Sequence, residues 1–394
     1  MRLARCFSVS DVRLAARARL PAPMFHYIDG GSDGEWTLRR NSAAYSDYQL
    51  LPEQLRDVSS VDMSTPLFGQ TLAVPFFLAP TGMSRLFHHD RELAVVRAAQ
   101  TFETLYSLST LATTSLEDIA AETASPKMFQ IYILRDRGLT QEFVERCRRA
   151  RYNALCLTVD MQMAGNRERD RVTGMVMPPR FGPGSLLGFA TRPHWTLNLL
   201  RRPDFRLANV AHRVDALGSG AMGLIDYVNS QFDRSVTWAD VEWLRNQWQG
   251  PLVLKGILSP GDAQRAVAFG VDALMLSNHG GRQLDGTPAP IDMLQPVRDA
   301  VGDKVKLIVD GGIRRGTDIV KALALGADAC SIGKAYLYGL AAGGQSGVEH
   351  VLGLLRTEVE RCMTLLGCAR ISDLGARHVI RPQIKAFQMD NLMS

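Results

Sequence analysis

A histidine and an arginine that could do chemistry follow the apolar run 273–276, in the segment Ser277-Asn278-His279-Gly280-Gly281-Arg282-Gln283-Leu284-Asp285-Gly286. The imidazole of His279 can take or give a proton near neutral pH, and the guanidinium of Arg282 can bind a carboxylate through two hydrogen bonds. The glycines between them let the backbone approach a flat ligand. The alternative is that the segment is an ordinary turn in which His279 only makes structural hydrogen bonds. The residues elsewhere in the chain distinguish the two interpretations.

The run before this segment is one of eight apolar runs that have the length of short buried strands. They cover residues 72–79, 104–108, 128–133, 154–159, 251–254, 273–276, 306–309 and 329–332. Helix-patterned sequence follows most of them, which predicts a parallel sheet, and their number predicts an α/β fold closed into a (β/α)8 TIM barrel. An open doubly wound sheet is the alternative, but no Gly-x-Gly-x-x-Gly follows the first run to support it.

These positions predict a single domain over residues 1–394, with an N-terminal segment (1–71), a barrel (72–340) and a C-terminal helix and tail (341–394). A first helix is expected from an N-cap at Ser10-Asp11 to Arg19, and a last one over Val348–Leu366 with Gly367 as its cap. A long insertion, 161–250, separates the fourth and fifth runs. Its basic, aromatic and apolar part, 175–202, could be a lid, a membrane-surface contact or a mobile surface loop.

Composition and charge narrow the class of protein. The 394 residues are 46% hydrophobic and 22% charged, with a net charge of +5, which suits an anionic ligand or an anionic membrane surface. No basic cluster interleaved with aromatic residues supports nucleic-acid binding, and no run of 18 apolar residues supports a transmembrane helix. The six cysteines form no CxxC pair and no Cys/His ligand spacing, so we expect no metal site and a reducing, cytoplasmic location.

Polar residues gather where the predicted strands end, which is where chemistry sits in this kind of barrel. They are Thr81, Ser109, Gln130, Tyr132, Thr158, Asp160, Lys255, Ser277, His279, Arg282, Asp310 and Arg314. The last two strands end in glycine-rich segments, 310–316 and 331–334, at the usual phosphate site of the fold. We therefore expect a phosphate-bearing cofactor, with Lys255 placing a positive charge beside an electron-accepting ring.

From about Ser10 to Leu374 the chain resembles the FMN-dependent (S)-2-hydroxy-acid oxidase and dehydrogenase family. Its segment 277–285 carries the most specific motif, and its similarity is strongest to bacterial respiratory L-lactate dehydrogenases and then to mandelate dehydrogenase. Further matching segments are Ala79-Pro80-Thr81-Gly82, Phe129-Gln130-Ile131-Tyr132, Leu157-Thr158-Val159-Asp160 and Asp310-Gly311-Gly312-Ile313-Arg314-Arg315-Gly316.

The resemblance implies a role for each matching residue. His279 would take a proton from the substrate, and Asp160 would stabilise the resulting imidazolium. Arg282 and Arg167 would bind the substrate carboxylate with help from Tyr27, and Tyr132 would contact the substrate hydroxyl or the developing charge. The residues implied to bind FMN are Pro80, Thr81, Gly82, Ser109, Gln130, Thr158, Lys255 and Ser277 around the ring, and Asp310, Gly311, Gly312, Arg314, Gly333 and Lys334 along the ribityl chain and phosphate.

The function implied by the resemblance is oxidation of an (S)-2-hydroxy acid, in the first place L-lactate to pyruvate, with electrons passed to a quinone or another carrier. Alternatives are an aryl substrate such as (S)-mandelate, an oxidase that makes hydrogen peroxide, and a catalytically silent FMN-binding barrel. A homotetramer and a peripheral position on the inner face of the cell membrane are also expected. Two residues depart from common family patterns: Lys334 stands where arginine is usual, and Gly82 stands where many oxidases carry alanine.

Overall fold

Eight parallel strands close into a barrel in the part of the chain that this computed structural model describes, residues 2–175, 182–201, 205–215 and 230–382. Each strand pairs with its sequence neighbours, and the eighth pairs with the first. The predicted TIM barrel is therefore confirmed. The strands are β1 Phe76–Leu78, β2 Tyr106–Ser109, β3 Lys127–Ile131, β4 Ala154–Thr158, β5 Leu252–Ile257, β6 Ala273–Ser277, β7 Lys306–Asp310 and β8 Ala329–Ile332.

Two predicted runs differ from the observed strands by more than two residues at one end, whereas the others agree to within two residues. The first, 72–79, contributes only Phe76–Leu78 to the barrel, while Gln70–Leu72 pairs with Thr65–Leu67 in a separate antiparallel hairpin. Pro75 separates the two parts because it has no N–H to donate to a ladder. The fifth run extends to Ile257, and its register shifts between Lys255 and Ile257 around Gly256, whose φ of +104° suits a residue without a Cβ.

Helices surround the barrel and fill much of the insertion. The first begins after Ser8, whose hydroxyl accepts the Asp11 N–H at 3.2 Å, so the predicted cap at Ser10-Asp11 was wrong by two residues. Of the described helices, none is both long enough and apolar enough to cross a membrane. Their bounds are Val9–Arg19, Ala22–Asp29, Trp36–Ala43, Arg91–Thr101, Leu116–Glu122, Arg137–Arg149, Glu168–Val172, Pro183–Ala190, Pro193–Arg201, Ala211–Asp215, Trp238–Gln247, Pro260–Ala268, Pro290–Val301, Gly316–Ala324 and Lys334–Leu366.

The segment expected as a long loop, 175–202, is therefore largely helical where it is described; residues 176–181 and 202 lie outside the described residues. The predicted last helix is the second part of Lys334–Leu366, which is interrupted by non-helical backbone at Gly343 and Gly344. The predicted boundary at 340/341 falls just before this break. Gly367 ends the helix with a left-handed φ of 77°, as predicted.

A buried carboxylate, Glu92, fixes the loops that follow β1 and β2. Its Oε1 accepts the N–H groups of Ser84 and Thr113 at 3.2 and 3.0 Å, and its Oε2 accepts the hydroxyls of Thr113 and Thr114, both at 2.8 Å. A buried charge is stable only when its lone pairs are satisfied in this way. The network holds two of the strand-end loops that line the cavity described below.

A second buried carboxylate, Asp29, joins the N-terminal segment to the rest of the molecule. Arg13 donates to it from Nε and Nη2 at 2.5 and 2.7 Å, Arg169 donates at 3.0 Å, and the hydroxyl of Tyr338 donates at 2.8 Å. Burial would raise the pKa of Asp29, but the hydrogen bonds and charges of these partners, together with Lys334, hold it well below its usual range. Asp29 is therefore ionised throughout the neutral pH range.

Replacing Asp29 with asparagine should cost about 3 kcal/mol of unfolding free energy at pH 7, near the low end for a broken buried ion pair because Arg13 is partly exposed. Since the folded-state pKa of Asp29 is lowered, its contribution is complete above the ordinary aspartate pKa of about 4 and declines as the pH falls further. Urea unfolding of both proteins from pH 7 to pH 3 measures the difference, which should narrow below about pH 4.

The control is Asp303→Asn, since Asp303 is fully exposed and pairs only loosely, at 3.4 Å, with Arg298. That variant should match the wild type at every pH. A stability difference for Asp29→Asn that stayed constant down to pH 3 would contradict the assignment of the effect to the ionised carboxylate.

Candidate active site

The imidazole of His279 and the carboxylate of Asp160 form a hydrogen bond at the end of the barrel where the strands terminate. His279 lies two residues after β6, with a left-handed φ of 58°, and its N–H donates to the Ser277 hydroxyl at 3.0 Å. Its Nδ1 lies 3.0 Å from Oδ1 of Asp160, which lies two residues after β4. A proton on Nδ1 faces the carboxylate, so Nε2 is the nitrogen that can accept a proton from a ligand.

Asp160 is suited to stabilise a positive charge on that imidazole. Burial alone would raise its pKa, but the charge and hydrogen bond of His279 and the charge of Lys255 outweigh burial and lower it. Its other oxygen, Oδ2, is buried and accepts no hydrogen bond from a described residue. The pair can therefore act as a base whose protonated form is stabilised by a fixed negative charge.

Two arginines meet at the ring of Tyr27 on the same side of the cavity. The guanidinium carbons of Arg282 and Arg167 lie 4.9 and 5.1 Å from the ring centroid. Arg282 also donates to the backbone oxygen of Tyr27, and burial together with the charge of Arg167 lowers its pKa. The two positive charges repel each other where water screens them little. A bound carboxylate relieves this repulsion, so the pair forms a strong site for one.

Lys255, Ser277 and Asp310 form a hydrogen-bonded row across the ends of β5, β6 and β7. The ammonium of Lys255 donates to the Ser277 hydroxyl at 2.9 Å and lies 3.1 Å from Oδ2 of Asp310, which accepts the serine hydroxyl at 2.7 Å. Burial would lower the pKa of Lys255, but Asp310 and Asp160 raise it above its usual value. The lysine therefore remains charged inside the cavity at neutral pH.

The other residues predicted around a cofactor ring lie on neighbouring strand ends. Ser109 donates to Oε1 of Gln130 at 3.1 Å, which orients the amide. The hydroxyl of Thr158 is buried and has no partner among the described residues. Thr81 lines the cavity, but its hydroxyl bonds to that of Tyr336 at 2.5 Å. Pro80 and Gly82 complete this wall.

The predicted phosphate end is lined by the backbone after β7 and β8. Gly311, Gly312, Arg314 and Gly333 all line the cavity there. Lys334 lines it too, but its ammonium donates to the backbone oxygens of Asp29, Gly30 and Gly280 at 3.2, 2.9 and 3.3 Å. Burial and the charges of Arg282 and Arg314 lower its pKa. The three N–H groups of the Lys334 ammonium thus already have acceptors within the protein. A direct contact between Lys334 and the phosphate stays a prediction.

Most of these groups line one cavity of about 850 Å³, a volume typical of small-molecule and cofactor sites. Four of the predicted residues are not part of its lining: Gln130, Thr158, Asp160 and Ser277. The charged Lys255 lines the cavity and can bind the polar edge of a flat ring, and the glycine-lined end beside Arg314 can take a phosphate. The residues therefore fit the FMN that the sequence predicts.

The structure also adds cavity residues that were not predicted from the sequence. Phe232 contacts the ring of Tyr132 edge-on, with centroids 5.2 Å apart, and Asp170 lies beside Arg167. These residues come from the irregular insertion, where no strand end marks their position. Other residues of that insertion that line the cavity include Met161, Met163, Met175, Leu207, Ser230 and Arg234.

Several motif residues act on the protein itself. The Gln283 amide donates to the backbone oxygens of Asp160 and Met163, both at 2.8 Å, and so holds the loop after β4. Asp285 accepts the N–H groups of Trp36 and Thr37 at 3.1 and 2.7 Å, at the start of helix Trp36–Ala43. Segment 277–286 therefore has structural roles as well as chemical ones.

Outside the cavity, His88, His89 and Asp90 bring possible metal-ligand atoms within 4.8 Å of one another. The Asp90 N–H already donates to Nδ1 of His88 at 3.2 Å, which occupies one of these atoms. The absence of a metal site remains a prediction.

The chain is similar to known proteins along nearly its whole length. The model of the FMN-dependent dehydrogenase family matches residues 16–381. An L-lactate dehydrogenase of Xanthomonas euvesicatoria pv. vesicatoria (strain 85-10) is 43% identical over 374 residues, covering 94% of this chain and 95% of its own. The monotopic membrane protein (S)-mandelate dehydrogenase is similar in structure, with a TM-score of 0.92, 34% identity and coverage of 96% and 100%. A mandelate oxidase with (S)-mandelic acid has a TM-score of 0.81, 36% identity and coverage of 95% and 98%.

A family match along nearly the whole chain, together with a relative of this identity, settles the assignment: the chain belongs to the FMN-dependent dehydrogenase family.

Proposed function

We propose that this protein oxidises an (S)-2-hydroxy acid to the 2-oxo acid, with L-lactate as the substrate. The observation that carries the proposal is the convergence of a base paired with a carboxylate, His279 and Asp160, and two arginines, Arg282 and Arg167, on one cavity. A substrate with a carboxylate next to a hydroxyl-bearing carbon would meet a cation and a base at the same time.

Bound FMN supplies the acceptor for the two electrons that leave the substrate. Lys255, Thr158, Gln130 and Ser109 would hold its ring, and the backbone of the glycine-rich end with Arg314 would hold its phosphate. The permanent charge of Lys255 would favour electron density on the neighbouring part of the ring.

The protein's own residues then divide the work on the substrate. Arg282 and Arg167 bind the carboxylate, and Tyr132 contacts the hydroxyl of the substrate. The hydroxyl of Tyr27 donates to the sulfur of Met83 at 3.6 Å, so it would have to leave that contact to donate to the carboxylate. Nε2 of His279 takes the proton, and Asp160 stabilises the imidazolium through Nδ1. Because burial holds the pKa of Tyr132 well above its usual value, this phenol stays protonated and can donate a hydrogen bond.

L-Lactate is favoured because the relatives with that name are more similar in sequence, at 43% identity, than the mandelate enzymes, at 34–36%. Mandelate is the second candidate. The observation in its favour is the apolar part of the cavity, where the side chains of Met161, Met175, Leu207 and Phe232 could accept an aryl group.

Replacing His279 with glutamine should leave a yellow, FMN-containing protein whose flavin is reduced by L-lactate roughly 10²–10⁴ times more slowly, the usual contribution of a general base. Anaerobic stopped-flow absorbance of the flavin measures the rate. His212→Gln is the control, since His212 is partly exposed and pairs with Glu142 at 2.9 Å away from the cavity. Normal flavin reduction in His279→Gln would refute the assigned base.

The substrate is tested by steady-state rates with L-lactate, D-lactate, glycolate and (S)-mandelate and an artificial dye as acceptor. We expect kcat/KM to be highest for L-lactate and negligible for D-lactate, because the carboxylate clamp and the base fix one face of the substrate carbon. A preference for (S)-mandelate of tenfold or more would favour the second candidate. No turnover of any of these acids would favour a silent FMN-binding barrel.

For the electron acceptor we propose a quinone or other carrier rather than oxygen, as the dehydrogenase names of two of the similar proteins suggest. Reoxidation of the reduced enzyme by oxygen in the stopped-flow instrument separates this from an oxidase. The predicted homotetramer stays a prediction.

We also propose that helix Pro193–Arg201 contacts the membrane surface. Leu197 and Leu200 are three residues apart on this helix and are 56% and 69% exposed. The helix is held to the loop after β1, where the indole of Trp195 donates to the backbone oxygen of Leu86 at 2.7 Å. The structurally similar (S)-mandelate dehydrogenase is described as a monotopic membrane protein, which supports membrane association of this chain.

The double variant Leu197→Ser/Leu200→Ser should lose more than tenfold of its binding to vesicles of phosphatidylethanolamine and phosphatidylglycerol, since burying each leucine contributes about 1.5–3 kcal/mol. Co-flotation of the holoenzyme measures binding. Leu55→Ser/Leu365→Ser removes two leucines that are exposed elsewhere and should bind like the wild type. Equal binding of all three proteins would rule out this helix as the contact.

A further inference from the structure

Asp170 is a buried carboxylate at the cavity for which none of the roles above provides a use. Its side chain is 6% exposed, and the residue lines the cavity. Its Oδ2 accepts no hydrogen bond from a described residue, and burial raises its pKa. Burying a carboxylate without full hydrogen bonding costs free energy, so its position requires a compensating partner.

That partner is Arg167. Its Nε lies 3.4 Å from Oδ2 of Asp170, and the two residues are three apart at the start of helix Glu168–Val172, with Arg167 as the residue before the helix. The charges of Arg282, His26 and Lys334 also favour the ionised form of Asp170.

Arg167 is thus held on two sides. Asp170 engages the Nε edge of the guanidinium, while the ring of Tyr27 lies 5.1 Å from its central carbon. Because Asp170 takes the Nε edge, the terminal Nη1 and Nη2 groups are the pair that remains for a carboxylate, which such a pair binds with two parallel hydrogen bonds. A flexible arginine that is oriented before binding loses less conformational freedom when the ligand arrives.

We propose that Asp170 is a positioning residue, which orients Arg167 for the carboxylate of the substrate. The proposal rests on the proposed function for the identity of the ligand, a 2-hydroxy acid. Asp170 itself does not contact the reacting atoms. It would act only through Arg167, and this dependence makes the proposal testable by a double-mutant cycle.

The probe is oxalate, an unreactive dicarboxylate, titrated into the oxidised FMN-loaded enzyme and followed by the change in flavin absorbance. Asp170→Asn should weaken oxalate binding about tenfold, within the range for coupled neighbouring residues. Arg167→Met should weaken it more. In the double variant, Asp170→Asn should add no further loss, because the residue through which it acts is gone.

The matched control is Glu168→Gln, which removes a negative charge from the same helix at an exposed position. It should bind oxalate like the wild type. An equal loss in Glu168→Gln would mean that general charge, rather than the orientation of Arg167, accounts for the effect. An equally large loss from Asp170→Asn in the Arg167→Met background would overturn the proposal, and so would loss of FMN from Asp170→Asn, since either result makes the role structural.

Turnover of L-lactate gives a second readout. Asp170→Asn should raise KM about tenfold while kcat stays within about twofold, because the base and its partner are untouched. If the wild type does not oxidise L-lactate but the oxalate cycle behaves as described, the proposed function fails and the positioning role stands. If L-lactate is oxidised and the cycle is additive, the positioning role alone fails.

Discussion

The carboxylate of Asp29 is the interaction on which the arrangement of this site depends. It accepts hydrogen bonds from the first helix, from the short helix of the insertion and from the helix after β8, through Arg13, Arg169 and Tyr338. Three segments far apart in the chain are thereby fixed at the residue that ends helix Ala22–Asp29. Tyr27, two residues earlier in that helix, consequently has a defined position against the two arginines of the site.

Charge is distributed unevenly between two parts of the cavity. At the ends of β5 to β7, Lys255 is balanced by Asp310, and its pKa is raised. On the other side, burial and neighbouring cations lower the pKa values of Arg282 and Lys334. A buried region in which cations destabilise one another is one that anions stabilise. A substrate carboxylate and a cofactor phosphate are both anions, so the imbalance itself favours the ligands proposed.

Much of the barrel could be predicted from the sequence because each strand is a short apolar run bounded by turn residues. The ring of polar residues at the strand ends followed from the same reasoning, since parallel strands in a barrel end at one face. The errors have local causes. Pro75 splits the first run, and Ser8 rather than Ser10 satisfies the first N–H groups of the first helix. The helices at 183–190 and 193–201 were missed because glycines and prolines obscure their pattern.

The cavity wall formed by the insertion could not have been predicted in the same way. Phe232 and Asp170 are placed by the path of a segment that crosses the barrel mouth, and no periodicity encodes that path. Lys334 is a similar case. Its position after β8 suggested a phosphate ligand, but the end of helix Ala22–Asp29 brings two backbone oxygens to its ammonium, and Gly280 brings a third.

The sequence by itself determined the chemistry at the strand ends, namely a histidine, a carboxylate two strands away and Arg282, because residue type and strand periodicity are local properties. Arg167, in the insertion, was indicated only by the family resemblance. Only the tertiary structure decided which nitrogen of His279 faces Asp160, which edge of Arg167 faces Asp170, and where the ammonium of Lys334 points. For His279 and Lys334, the outcome depends on how side chains from segments more than a hundred residues apart are oriented toward one another. For Arg167, it depends on how a short helix packs against the barrel. Distances of about 3 Å between such groups arise only when the whole barrel closes and its insertion folds over the open end.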